Sequence, residues 1–263
     1  MTSNIDNLEE RLRQLLAAQP NSLETVPDAE TVRPRGNIPN TPLAASTTSF
    51  ILGAVFCFGA LTSLGLGFSQ YWWSTYQLGF FVAAWSFFHW AEFAVTAGWN
   101  LEKCSVDSFL LDNGAMYHVA NGTALAEYLL SLYFKPELKS YPYASTIGIA
   151  VVILGQTLRS MAMIHASTNF SHLVAFKKRD THKLVTDGIY AWFRHPSYAG
   201  FFYWALGTQI LLQNPLSFVL YCVLLWRFFY HRTRAEENAL IRFFGDQYVE
   251  YRRRVGTKIP FVP

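Results

Sequence analysis

The chain has 263 residues, of which 51% are hydrophobic, 17% aromatic and only 15% charged. Soluble domains carry about 25% charged residues, so the polar surface of a solvated globule is missing, and the apolar residues fall in blocks that point to lipid as the solvent. Three widely spaced cysteines (Cys57, Cys104, Cys222) argue against a disulfide framework or a Cys-rich metal site, and the net charge of +3 matters for its placement rather than its size.

Residues 1–43 are polar and contain no apolar signal core, so the first spanning helix is expected to direct insertion. Leu8, Leu12, Leu15 and Leu16 share one helical face, which reads either as a short amphipathic helix before the linker Pro20 to Pro42 or as a loosely ordered tail. A bilayer core of ~30 Å needs about 20 apolar residues in a helix. Four segments meet that length: Thr48 to Phe68, Tyr76 to Ala97, Met116 to Phe134 and Tyr143 to Ile164. Two shorter ones follow, Tyr198–Leu212 and Leu216–Tyr230, separated only by Gln213-Asn214-Pro215. At ~1.5 Å per residue each reaches little more than ~22 Å, and Asn-Pro opposes a continuous helix, so they predict a tight helical hairpin.

The expected fold class is therefore an all-α integral membrane protein of about six transmembrane helices. It divides into a polar tail (1–45), four membrane helices (46–164) and a catalytic region (165–263) containing a cytosolic loop, the hairpin 198–230 and a helical C-terminal tail. With six spans, seventeen Lys and Arg fall on one side and only Lys135 and Lys139 on the other. The positive-inside rule then makes both termini cytosolic. Tyr71, Trp72 and Trp73 sit at the opposite end of the second span, as an aromatic belt would.

The densest polar constellation runs from Asp180 to Gly200 and ends in Arg194-His195-Pro196-Ser197-Tyr198. Pro196 suits the first turn of a helix, placing His195 and Ser197 where free amides and the dipole favour an anion. The same residues also read as a juxtamembrane cap that anchors the hairpin at the headgroups. A second constellation, Arg232-Thr233-Arg234-Ala235-Glu236-Glu237, puts Arg232 and Glu236 at i and i+4 on one face. Arg suits bidentate recognition of carboxylate or phosphate, although ordinary surface pairing explains the spacing too. Because both constellations flank one short hairpin, they are expected to converge. Polar residues within the spans (His89, Glu92, His118, Asn121, Glu127, Gln156, Arg159) read as structural pairing between helices rather than as sites.

The sequence has no P-loop, HExxH, GxSxG or CxxC pattern, and Gly65-Leu66-Gly67 lacks a third glycine. The sequons at Asn121 and Asn169 fall in a span and in a cytosolic loop, so neither is expected to be glycosylated.

These elements resemble the isoprenylcysteine carboxyl methyltransferases. The likeness rests on Ser108-Phe109-Leu110-Leu111, Ser171-His172-Leu173-Val174, and His182-x-Leu184-Val185-x-x-Gly188-x-Tyr190-x-x-x-Arg194-His195-Pro196-Ser197-Tyr198-x-Gly200. Gly207-Thr208-Gln209, Asn214-Pro215, Trp226-Arg227-Phe228-Phe229, Arg232-x-x-x-Glu236-Glu237 and Gly245-x-x-Tyr248-x-x-Tyr251 extend it. It runs from about Ser49 to Pro260. The Arg-His-Pro core and the Glu-Glu pair are similar to a wider group that includes phospholipid N-methyltransferases and sterol reductases, whereas the Ser-Phe-Leu-Leu, Ser-His-x-Val and Trp-Arg-Phe-Phe elements select the prenylcysteine enzymes. The polar N-terminus matches the six-span branch.

The resemblance implies S-adenosylmethionine as cofactor, held by Ala175 (through its backbone), His182, Lys183, Leu184, Val185, Tyr190, His195, Pro196, Ser197 and Tyr198. It implies substrate binding by Arg232 and Glu236. It also implies prenylated CaaX proteins as partners, no metal and no nucleic acid, and residence in the endoplasmic reticulum. The residues suit that chemistry. A C-terminal carboxylate is ionised at neutral pH, so methylation is a direct displacement that needs alignment and water exclusion rather than a general base. Arg232, helped by His195, is expected to hold the carboxylate, with Glu236 orienting Arg232 and the two tyrosines lining the cofactor. A phospholipid N-methyltransferase is the alternative; a sterol-type reductase or a scaffold fits less well.

Overall fold

The computed structural model describes residues 38–174, 178 and 182–262. Among them are seven α-helices and no strand: α1 (Pro42–Ser63), α2 (Tyr76–Trp99), α3 (Ala115–Phe134), α4 (Ala144–Ala166), α5 (Pro196–Leu211), α6 (Pro215–Phe244) and α7 (Asp246–Arg254). The leucine face around Leu8–Leu16 and the expected cofactor contact Ala175 lie outside the described residues.

α1 starts at Pro42 rather than near Thr48, because Thr41 caps it: its hydroxyl accepts from the Ala44 amide at 3.2 Å and proline occupies the first turn. It stops at Ser63 instead of Phe68, two residues before Gly65 takes a left-handed φ of 71°. α2, α3 and α4 form where the apolar runs predict them. α6 departs most from expectation. It does not end at Tyr230 but runs for 30 residues to Phe244, ~45 Å at 1.5 Å per residue. Its apolar half stops near Tyr230, yet helix-forming residues with i,i+4 charge pairs continue unbroken until Gly245. One rod therefore carries Arg232, Glu236 and Glu237.

Among the described residues, three helices are long and apolar enough to cross a membrane: α1, α2 and α4 extended to Asn169. α3 carries His118, Asn121 and Glu127, α5 has only 16 residues, and α6 is half polar. The helices associate as lipid-embedded ones do, through small residues that let backbones touch. A Cβ on Gly155 of α4 would lie 2.6 Å from the Trp204 amide nitrogen of α5, and one on Gly200 would lie 2.6 Å from that of Arg159. Gly59 and Gly79 allow the same approach between α1 and α2. The main core lies between α2, α5 and α6, where Phe88 stacks on Trp204 at 4.6 Å beside Phe202 and Phe229.

The Asn-Pro turn between α5 and α6 is clamped by polar groups. Buried Asn214 donates to the Ala124 carbonyl at 2.8 Å and accepts from Lys139 Nζ at 2.8 Å. The Glu127 carboxylate receives the Leu216 and Ser217 amides at 2.9 and 2.6 Å, capping α6 at its positive end. Glu127 thus serves the fold, as does His89, whose ring bonds the Phe109 carbonyl at 2.7 Å and the Tyr117 hydroxyl at 2.8 Å.

Candidate active site

The first turn of α5 meets the polar half of α6. Arg194, just before α5, is buried and reaches three partners with its side chain: Glu237 Oε1 at 2.6 Å, the Val255 carbonyl at 2.7 Å and the Arg252 carbonyl at 3.2 Å. Its amide donates to the Gly256 carbonyl at 3.0 Å. The tail after α7 thereby clasps the start of α5. His195 Nε2 lies 3.3 Å from the same Glu237 oxygen, and Arg252 Nε lies 3.3 Å from the other. Burial pushes the Glu237 carboxyl up, but the His195 hydrogen bond and the charges of His195, Arg194 and Arg252 outweigh it and hold the group below the ordinary carboxylate range. The His195 ring stacks on Tyr198 with centroids 5.3 Å apart.

Tyr198 is the junction between two constellations read separately from the sequence. Its hydroxyl donates to Glu236 and accepts from Arg232 Nε at 2.8 Å. The Arg232 guanidinium also donates to the His172 carbonyl at 2.5 Å and lies over the Tyr198 ring at 5.3 Å. Arg232 and Glu236 are thus joined through the tyrosine, so Glu236 orients Arg232 at one remove. Beside them opens a cavity of about 960 Å³. Its polar end is formed by Arg159, His172, Ser197, Tyr198 and Arg232, and its apolar reach passes Trp204, Tyr221 and Leu225.

Of the expected site residues only Ser197, Tyr198 and Arg232 line this cavity. His195, Pro196 and Glu236 stand beside Tyr198 at the start of α5 and on α6. His182, Lys183, Leu184, Val185 and Tyr190 lie in the segment before α5, against the far part of α6 and the loop after α4. His182 packs beside Phe243 with ring centroids 6.3 Å apart, and the Lys183 amide donates to Asn169 Oδ1 at 2.8 Å. Leu184 and Val185 follow in irregular, half-buried chain. Tyr190 closes the segment: its hydroxyl donates to the Ala162 carbonyl at 3.2 Å, and its own carbonyl accepts from Tyr251 at 2.6 Å. Its phenol is pushed upward by burial and the nearby Glu236 charge. The turn before it needs Gly188, with φ 52°, because a Cβ there would lie 2.3 Å from the His165 ring.

A family model described as isoprenylcysteine carboxyl methyltransferase (ICMT) matches residues 147–242, from α4 to the polar end of α6. The protein-S-isoprenylcysteine O-methyltransferase of Homo sapiens is 47% identical over 211 residues, covering 80% of this chain and 72% of that protein. The protein of the same name from Saccharomyces cerevisiae is 43% identical over 233 residues, covering 86% and 95%. The chain belongs to the isoprenylcysteine carboxyl methyltransferase family. The solved structure of a eukaryotic intramembrane Ras methyltransferase, ICMT, superimposes with a TM-score of 0.76 at 37% identity, covering 84% of this chain and 82% of that one. The chain is therefore a member of a family of membrane enzymes, and its described residues form helices without a strand.

Family motifs carry several residues to which the sequence reading gave no role. Arg194 and Glu237 are the buried pair that fixes His195, and a separation of 43 residues alone could not show that they meet. Glu92 and Arg159 belong to this neighbourhood as well. Arg159 donates to both Glu92 oxygens, at 2.5 and 2.7 Å, and to the Ser197 carbonyl at 3.2 Å. Thr96 and Glu92 face His172 at 3.2 and 3.6 Å. Burial lowers the His172 imidazole to about 4, despite the pull of Glu92, so it is neutral at physiological pH. The available signal was one acid and one base of opposite sign on two apolar helices. It supports a pair, which was the expectation, but says nothing of its closeness to the site.

Proposed function

We propose that this chain methylates the C-terminal α-carboxylate of prenylated cysteine, with S-adenosylmethionine as methyl donor. The observation that carries the reading is an arginine with donors to spare at the polar end of a long apolar cavity. Arg232 has five N–H groups. Nε is used by Tyr198 and one on Nη2 by His172, leaving three for a carboxylate. The apolar reach past Trp204, Tyr221 and Leu225 suits a prenyl chain, whose burial is worth ~0.8 kcal/mol per methylene.

The donor side fits a cationic methyl donor. Glu236 keeps 29% of its side chain exposed beside the stacked rings of His195 and Tyr198, a carboxylate and aromatic faces of the kind that hold a cation. The Ser197 amide lies in the first turn of α5, where no carbonyl of the helix can accept it, and buried Arg194 Nη2 has no partner among the described residues; both suit the carboxylate of an amino acid. His182, Lys183, Leu184, Val185 and Tyr190 would complete that side, with His195, Pro196, Ser197 and Tyr198 between donor and acceptor, and Ala175 is retained through its backbone.

When bound, S-adenosylmethionine supplies a sulfonium methyl that needs no further activation. Arg232 would orient the acceptor carboxylate toward that methyl group, and an ionised carboxylate would need no proton removed to accept it. Glu236, through Tyr198, keeps Arg232 turned toward the cavity. Aromatic side chains around the cavity exclude water, the competing nucleophile. We further propose six membrane crossings, with α5 and the apolar half of α6 as a hairpin. Both termini and the site would be cytosolic, in the endoplasmic reticulum, and prenylated CaaX proteins the partners. The division into tail (1–45), four helices (46–164) and catalytic region (165–263) belongs to the same proposal.

The test is incubation of purified protein with methyl-labelled S-adenosylmethionine and either N-acetyl-S-farnesylcysteine or phosphatidylethanolamine. Base-labile label in the first reaction alone is expected. Label in the lipid alone would assign the chain to phospholipid N-methylation instead.

A further inference from the structure

Glu92 and Arg159 form a buried ion pair that the proposed mechanism does not use. Both are buried within apolar helices, α2 and α4, that are candidate membrane spans. A charged pair in such surroundings is rarely a net gain in stability over well-packed apolar residues, which makes ionisable residues at that depth candidates for function as well as for pairing. Its partners show what it does. Arg159 is held bidentate by Glu92 and sends its remaining contact to the Ser197 carbonyl in the first turn of α5, at 3.2 Å. Its guanidinium is fixed further between the rings of Phe88 and Phe201, 5.6 and 5.5 Å away.

From the other side of the same carboxylate, Glu92 faces His172 Nδ1 at 3.6 Å. Thr96, one turn along α2, gives its own hydrogen to the Glu92 carbonyl at 2.7 Å and so accepts from His172 Nε2 at 3.2 Å. The main chain of that same histidine accepts from Arg232 at 2.5 Å. α2 therefore reaches both halves of the site: the start of α5 through Glu92 and Arg159, and Arg232 through Thr96 and His172. α2 supplies no expected site residue, and Glu92 lies outside the stretch that the family model matches.

We propose that Glu92 is a positioning residue for methyl transfer: it holds Arg159 on the Ser197–Tyr198 turn, while its helix, through Thr96 and His172, holds Arg232 at a fixed distance from that turn. The inference rests on the reading that these two groups hold donor and acceptor. An in-line displacement needs its reacting atoms aligned at ~3–3.5 Å, and a misplacement of about 1 Å can cost a hundredfold in rate. Loosening Glu92 should therefore lower turnover while each ligand still binds its own half.

The test uses the full-length protein with sites counted by S-adenosylhomocysteine binding, so that loss of folded material does not register as loss of rate. In Glu92→Gln, kcat per site should fall tenfold or more, with KM for S-adenosylmethionine and for N-acetyl-S-farnesylcysteine each within threefold of wild type. The double variant Glu92→Leu/Arg159→Leu replaces the pair by apolar volume, and should keep or raise the thermal midpoint while turnover per site stays low. Thr96→Val, an isosteric change, removes only the hydroxyl on His172 and should lower kcat per site threefold or more. Wild-type kcat per site in Glu92→Gln or in the double variant would overturn the proposal. So would a Glu92→Gln defect confined to the number of binding sites, which is what a purely structural role gives. If the wild-type protein fails to methylate N-acetyl-S-farnesylcysteine, the functional reading fails instead.

Discussion

Replacing Glu237 by glutamine removes one charge and almost no volume from the clasp that ties α5, α6 and the C-terminal tail. In the native protein this carboxylate receives Arg194 Nε at 2.6 Å and His195 Nε2 at 3.3 Å, with Arg252 Nε 3.3 Å away. Hydrogen bonds to a charged group contribute ~1.5–3 kcal/mol each against ~0.5–1.5 for neutral ones. The Arg252 side chain is 42% exposed, so its share is mostly screened. Counting Arg194 and His195, and adding the clash of a glutamine N–H with a neighbouring donor, the expected loss is roughly 2–4 kcal/mol. At ~2–4 °C per kcal/mol for a domain of this size, the thermal midpoint in detergent should drop by roughly 5–15 °C.

The pH dependence of that deficit follows from the lowered Glu237 carboxyl. The stability it contributes is complete above the unfolded value and is lost only as pH falls through the lower folded one. The gap between variant and wild type should therefore be constant from pH 8 to 5. Because the same clasp fixes His195, S-adenosylhomocysteine affinity should fall as well, read by calorimetry below the melting range. A midpoint within 2 °C of wild type, with unchanged affinity, would refute the argument.

Two further outcomes are expected. His172 is neutral in the fold, with its imidazole lowered to about 4 from 6.5, so protonating it costs stability as pH falls through that window. His172→Gln, which can still take the Thr96 bond, should flatten the stability curve between those pH values, and parallel curves would count against the assignment. Gly200→Leu forces α5 off α4, since a Cβ already meets Arg159 and Gly155 backbone atoms at 2.6 and 2.8 Å. Overpacking of this kind costs ~1–3 kcal/mol or more, so its melting midpoint should fall clearly below that of Gly53→Leu, where nothing lies within 4 Å.

Apolar runs made the membrane-type helices legible, since lipid imposes a length that twenty residues satisfy. They misplaced helix ends wherever something other than apolarity decides. Thr41-Pro42 starts α1 by capping, and α6 continues past Tyr230 because backbone hydrogen bonding does not stop where the apolar residues do. In the site, Arg232 and Glu236 were readable as an i,i+4 pair, and their convergence with Arg194 to Tyr198 followed from the short hairpin. That the pair meets through the Tyr198 hydroxyl was not, because contacts spanning 34 and 38 residues leave no periodic trace. The reach of Glu92 to Arg159, 67 residues away, and the carbonyls that Val255 and Gly256 lend to Arg194 depend on helix packing alone.

Methyl transfer as proposed depends on Arg232 holding the acceptor carboxylate at the polar end of the cavity. Its most direct test is the affinity of N-acetyl-S-farnesylcysteine and of its carboxamide for wild type and for Arg232→Ala. A hydrogen-bonded charge of ~1.5–3 kcal/mol predicts that wild type prefers the carboxylate by roughly 10- to 150-fold, and that the preference vanishes in the variant while S-adenosylhomocysteine binding stays within threefold. A preference that survives intact in Arg232→Ala would contradict it.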